Sequence, residues 1–289
     1  MRHTEERYIS LLTDFGFKRI FGTAPNKGLL IDFLNSMFDG EQVVKDVTYL
    51  NSEHVGDVHS DRKAIFDVYC ENEKGEKFIV EMQNASQQYF KDRSLYYATF
   101  PIREQAQKGA EWNYELKHVY VVALLNYNMS EPAFAKDTIN HDVGLLDKQT
   151  HRVFNDKLTF KYVEISKFDK RIEELKTNYD KWLFVLQNLS RLNSQPKYLQ
   201  TAVFTRLFKQ AEIAGFTRTE LREYEDSLKA FRDLRNTLDN AKQEGRAEGR
   251  AEGEKDKAIE IAKNLLEMGM PIDAIMKATG LSSEEVRNI

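Results

Sequence analysis

The chain has 289 residues, with 42 Lys and Arg against 46 Asp and Glu and a formal net charge of −4. That length accommodates one large domain with an appendage, or two domains, and the acidic balance argues against a broad electrostatic hold on nucleic acid. The single cysteine, Cys70, excludes an internal disulfide framework and a cysteine-based zinc site; no apolar run approaches a membrane span and no basic-then-apolar leader opens the chain, so a soluble cytoplasmic protein is expected.

Taken in order, residues up to Tyr8 read as a flexible start. Thr13 and Asp14 are candidate caps for a short helix carrying Phe17, Lys18, Ile20 and Phe21, closed by Gly22. Leu29, Leu30, Phe33, Leu34, Met37 and Phe38 recur at helical spacing and predict a second helix with one buried face. Residues 43–49 fit an edge strand. The polar stretch 51–62 holds His54, Asp57, His59 and Asp61, but with no strand or helix period, so it reads as a mobile loop rather than a metal site.

Residues 64–83, AIFDVYCENEKGEKFIVEMQ, read as two strands joined by a polar turn. Alternation places Ile65, Asp67 and Tyr69 on one face and Phe66, Val68 and Cys70 on the other. In the second strand Lys77, Ile79, Glu81 and Gln83 share a face. A turn near Lys74 sets Asp67 opposite Glu81, and cross-strand neighbours on one face have Cβ atoms about 5 Å apart. Two carboxylates and the Gln83 side-chain carbonyl then converge beside the sheet, a donor set suited to a hard cation such as Mg²⁺, with Mn²⁺ or Ca²⁺ as alternatives. The competing reading is a pair of solvated carboxylates on an antiparallel sheet. Against it, Asp67 lies in an apolar run where an unpartnered carboxylate is costly.

Residues 86–107 predict a long helix with Arg93 and Tyr97 on one face and a kink at Pro101. Beside a carboxylate pair, Arg93 would steady the cluster or contact a phosphate. Residues 118–125, HVYVVALL, fit a central strand buried on both faces, and residues 154–165 one or two further strands. From about Arg171 the chain turns helical, with apolar stripes through Trp182, Leu183, Val185, Leu186 and Leu189 and through Val203, Phe204, Leu207 and Phe208.

Gly245, Gly249 and Gly253 recur every four residues within a charge-balanced segment, read as a flexible or semi-helical linker, with close pairing of helices between subunits as the alternative. Beyond it, Gly269 and Gly280 punctuate short amphipathic segments, and Ser282 with Glu285 forms a capping box. Helix–turn–helix order suggests DNA reading, yet the final helix offers Arg287 as its sole base, so packing or subunit association is favoured. The expected division is 1–170 as a core, 171–240 as helices packed on it, 241–257 as the linker and 258–289 as a helical tail.

Asp67, a hairpin and then Glu81-Met82-Gln83 together resemble the core of the PD-(D/E)XK nuclease superfamily. The form with Gln in the last place is similar to the Rpn family of recombination-promoting nucleases and transposases. TDFGFKRIFG (13–22), RSLYYATF (93–100) and the tail KNLLEMGMPIDAIMKATGLSSEEV extend the resemblance over nearly the whole chain. It implies an α/β mixed sheet flanked by helices with an all-helical C-terminal extension, and a Mg²⁺-dependent DNA endonuclease. Asp67 and Glu81, with the Met82 backbone carbonyl, would hold the ion, and Gln83 would stand where most of the superfamily has lysine. The family motif further suggests Asp14 as an extra acidic group near the metal; Lys18 reads as a solvated neighbour, with a phosphate contact as the alternative. Since Gln carries no charge, Lys77 or Arg93 would have to supply it, although Lys77 lies roughly 13 Å along the strand from Glu81. A catalytically weak module acting through oligomerisation of its C-terminal helices is the alternative function.

Overall fold

The computed structural model describes residues 6–54, 64–106, 113–129 and 132–289. It comprises two compact units, Met1–Phe231 and Arg232–Ile289.

The first unit opens on α1 (Asp14–Phe21), where the Thr13 hydroxyl accepts the Gly16 N–H at 3.1 Å and Gly22 closes the helix. Thr13 is thus the cap and Asp14 the first helical residue. A Cβ on Gly16 would stand 2.1 Å from the Ser10 carbonyl oxygen, which explains the glycine in the TDFGF motif. Tyr8, expected in a flexible start, is buried instead, bridged to Glu212 and edge-on to the Phe208 ring at 5.0 Å. In α2 (Lys27–Phe38), all six residues of the predicted apolar stripe are buried.

Among the described residues eight strands follow: β1 (Val47–Tyr49), β2 (Glu53–His54), β3 (Ala64–Ile65), β4 (Val68–Asn72), β5 (Lys77–Gln83), β6 (Val119–Leu125), β7 (Asn140–Leu146) and β8 (Val153–Glu164). Six of them form one sheet in the order β1-β4-β5-β6-β8-β7, and β2 and β3 pair separately. The centre, β5-β6-β8, is parallel, and β1, β4 and β7 are antiparallel to their neighbours. The helix α3 (Phe90–Glu104), shorter than the predicted span, makes the crossover from β5 to β6. β6 is buried along nearly its whole length, as a continuous apolar run requires. The pattern of NHDVGLL gives no clear alternation, and β7 emerges only because β8 offers it an edge.

One face of the sheet, through Val68, Phe78, Val80, Met82, Val122 and Leu124, joins the core formed by α1, α2, α4 (Asn178–Asn188) and α5 (Ala202–Ala211). The opposite face, through Tyr69, Ile79, Val121 and Ala123, packs on α3. The first hairpin strand is not continuous. The chain bends at Asp67 between β3 and β4, and Phe66 crosses to the α3 side, its ring 5.4 Å from Tyr69 and 5.1 Å from Tyr97. The expected placement of Phe66 with Val68 and Cys70 is therefore overturned, because strict alternation holds only along an unbroken strand. Asp57, His59 and Asp61 lie outside the described residues.

In the second unit, the glycine repeat is helical. The helix α6 (Arg218–Glu267) runs through Gly245, Gly249 and Gly253. Each glycine costs about 1 kcal/mol relative to alanine, but Ala, Glu, Arg and Lys between them favour helix, and Arg250 pairs with Glu254 at 2.9 Å. Gly269, with φ 74°, ends this run. The helices α7 (Ile272–Thr279) and α8 (Ser283–Arg287) follow, and Ala262, Ile275, Leu281 and Val286 make a small core. The Ser282–Glu285 capping box forms as expected. Among the described residues no helix is long and apolar enough to cross a membrane.

Candidate active site

The β4–β5 hairpin turns through Asn72–Glu76, with Gly75 at φ 78°. Its register pairs Val68 with Val80, so the next step outward brings Asp67 opposite Glu81. At that step the bend at Asp67 replaces ladder bonds with side-chain bonds. The Met82 N–H donates to Asp67 Oδ2 at 2.8 Å, and the Asp67 N–H donates to Glu81 Oε1 at 3.3 Å. The two carboxylates are thereby locked to one another's strands. Within a strand, the N–H and C=O of one residue point to the same side, so the Met82 carbonyl also faces the Asp67 edge.

Glu81 is only 5% exposed and Asp67 half-buried. Among the described residues neither has an ion-pair partner. Burial, and then the negative charge of Asp67, pushes the Glu81 carboxyl up to about 8; Arg93 and Lys18 oppose the rise. Asp67 is raised as well, chiefly by burial, against the Met82 N–H bond and the Lys18 charge. The pair is an anionic site short of positive charge.

The surrounding helices supply part of what is lacking. Lys18 on α1 lies 2.7 Å from Asp14. Burial works against its charge, but Asp14, and more distantly Asp67 and Glu81, hold its pKa above the ordinary lysine value. Arg93 on α3 acts on both carboxylates, lies over the Phe90 and Tyr97 rings, and donates from Nη1 to Gln87 Oε1 at 2.6 Å. Its Nε is buried without an acceptor among the described residues. Tyr97 borders the same cluster, its hydroxyl pKa raised by burial and by Glu81. Asp14, Lys18, Asp67, Glu81, Gln83, Arg93 and Tyr97 thus converge on one region.

Lys77 does not join them. It pairs with Glu71 at the far end of the hairpin. Gln83 turns its amide nitrogen, rather than the expected carbonyl, toward Glu81 Oε2 at 3.3 Å, as a carboxylate that only accepts demands. Gln87, which holds Arg93, is a neighbour that strand and helix periods do not single out.

The donor set fits a hard divalent cation. Two adjacent carboxylates, one buried and one half-buried and only partly balanced by Lys18 and Arg93, are relieved by an oxygen-seeking ion or by protons. Among the described residues no three His, Cys, Asp or Glu side chains group as a metal site, so a third protein ligand would come from backbone, as the Met82 carbonyl allows.

A six-stranded mixed sheet flanked by helices, with Asp67 beside Glu81-Met82-Gln83 at the end of its central hairpin, defines an α/β fold of PD-(D/E)XK nuclease type. Residues 11–241 match the family model described as PD-(D/E)XK nuclease family transposase, and the chain belongs to that family. Residues 255–289 match the model of the Rpn/YhgA-like nuclease family C-terminal HTH domain, which favours the helix–turn–helix reading that sequence pattern alone ranked second. No curated protein and no solved structure matches the chain.

Proposed function

We propose that this protein is a metal-dependent DNA endonuclease, with Asp67, Glu81 and the Met82 carbonyl as the residues that hold Mg²⁺. The observation that carries this reading is the burial of Glu81 beside Asp67 with no ion-pair partner among the described residues. A fold retains such a pair at a cost in stability when the pair has work to do. A divalent ion there would polarise the phosphodiester and acidify a water. Gln83, on the same strand face, orients that water but carries no charge. Lys18 and Arg93, from helices on opposite faces of the sheet, supply the charge that draws the scissile phosphate in. Hydrolysis then adds the water oxygen to phosphorus as one P–O ester bond breaks.

Nicking of supercoiled plasmid in Mg²⁺ by wild type and by Asp67→Ala tests the reading. Loss of nicking in the variant is expected; equal nicking by both would trace the activity to a contaminant and overturn it. The second reading, a weak or inactive module acting through its tail, is favoured by one observation: the Gln83 amide is already engaged by Glu81. Residues 255–289 hold six acidic and five basic residues, so DNA contact by this unit would rest on local rather than net charge. Light scattering of the full chain with and without DNA distinguishes self-association through these helices from DNA binding.

A further inference from the structure

One Arg93 hydrogen bond away from the acidic pair's surroundings, at Gln87, lies a cavity of about 170 Å³ with Gln87, Gln88, Phe90, Lys91, Tyr127, Asn128 and Met129 in its wall. It forms where the chain leaves β5 and β6, two parallel strands whose ends are in register at Gln83 and Leu125. In open α/β sheets, ligands enter at the carboxyl ends of parallel strands. Arg93 links this cavity to the acidic pair. Its Nη1 holds Gln87, and its charge reaches Asp67, Glu81 and Tyr127.

The wall is fixed in advance. The Asn126 N–H donates to the Gln83 carbonyl at 2.8 Å, tying the second loop to the end of β5. The Ser166 hydroxyl donates to Asn128 Oδ1 at 2.6 Å, and the Met129 N–H donates to the fully buried Glu164. Because arginine cannot accept, Gln87 must face Arg93 with its oxygen, which leaves its amide nitrogen for a ligand. Three side-chain amides, two aromatic rings and a thioether are the groups with which proteins hold an unstacked base: amides for its edge, apolar groups for its faces. A second backbone phosphate would call instead for a wall dominated by cations and backbone N–H groups, whereas Lys91 is the one charged side chain among the described residues of this wall.

We propose that this cavity receives an unstacked nucleobase of the nucleotide adjoining the phosphodiester at Asp67 and Glu81. The inference rests on the nuclease reading above and adds a base-reading subsite to it. The test uses the full chain carrying Asp67→Asn, whose side-chain oxygen still accepts the Met82 N–H, and oligonucleotides with 2-aminopurine placed at successive positions. One position is expected to change in fluorescence on binding. Adding Tyr127→Ala should abolish that change and weaken binding about tenfold, and adding Asn128→Ala should weaken it less. A signal at no position, or one that persists unchanged in Tyr127→Ala, overturns the subsite. Cut-site mapping with the otherwise wild-type chain separates the two readings. Cutting by Asn128→Ala that continues with a relaxed base preference beside the cut supports the subsite, whereas cutting with unchanged preference overturns the subsite and leaves the nuclease standing. Absence of Mg²⁺-dependent cutting in every variant overturns the nuclease reading, and the fluorescence result then decides on its own whether the cavity binds a base.

Discussion

Two glutamates of the same sheet are buried to a similar degree and live in opposite circumstances. Glu164, at the end of β8, is fully buried; it accepts the Met129 N–H, lies 3.0 Å from His141 Nε2 and pairs with Lys167. Glu81, at the end of β5, has an N–H and an amide at 3.3 Å and another carboxylate for a neighbour. Burial alone therefore says little about a carboxylate's role. What distinguishes a structural acid from a functional one is whether the fold completes its coordination. The Glu164 network closes on itself and fixes the 126–129 loop, whereas Asp67 and Glu81 have no ion-pair partner among the described residues, and on the reading proposed above a bound ion completes them.

Substitutions should separate the two sharply. Glu164→Ala strands Lys167 and His141 and is expected to destabilise the first unit by about 3–5 kcal/mol, read by urea unfolding. Glu81→Gln removes a carboxyl whose ionised form the fold disfavours and should stabilise the metal-free protein at pH 8 by about 1–3 kcal/mol while abolishing nicking. If both variants lose stability equally, the contrast between the two acids fails.

The pH dependence sharpens the same contrast. The Glu81 carboxyl titrates at about 8 when folded but near 4.3 in the unfolded chain, so the unfolded state releases its proton first as pH rises. The Glu81 contribution to stability is therefore complete below about pH 4, declines between about pH 4 and 8 and is lost above that. Unfolding in EDTA across this range should show the decline in wild type and a flatter profile in Glu81→Gln.

Divalent ions should then act in the opposite sense. Since ligation requires the ionised pair, Mn²⁺ is expected to raise the melting temperature by a few degrees at pH 8 and less at pH 6, with no effect on Asp67→Ala. A rise of equal size in that variant would place the ion elsewhere. The smallest effect belongs to Lys77→Ala. Its pair with Glu71 lies away from the cluster, so less than about 1 kcal/mol of stability should go, with nicking unchanged, whereas Lys18→Ala should lower nicking without unfolding the protein.

Much of this was legible in residue order because the forces involved are local. Period-two apolarity and a turn glycine are enough to form the hairpin, and once its turn falls at Asn72–Glu76, Asp67 must meet Glu81. The same holds for the Thr13 cap, the α2 stripe and the closing capping box. Phe66 was misplaced because the backbone bends at Asp67, and β7 was invisible because its partner edge, rather than its own pattern, makes it a strand. The glycine repeat was misleading in isolation, since the helix-favouring residues around the glycines outweigh their cost.

Residue order by itself thus determined the acidic pair, its strands and the family motif, through chain geometry that acts over a few residues. Tertiary structure decided which cations stand beside the pair. Lys77 shares a strand face with Glu81 yet is spent on Glu71, while Lys18 and Arg93 arrive from α1 and α3 on opposite faces of the sheet. Electrostatic effect follows distance through space, and helices brought together by a common core set those distances in a way that spacing along the chain does not record.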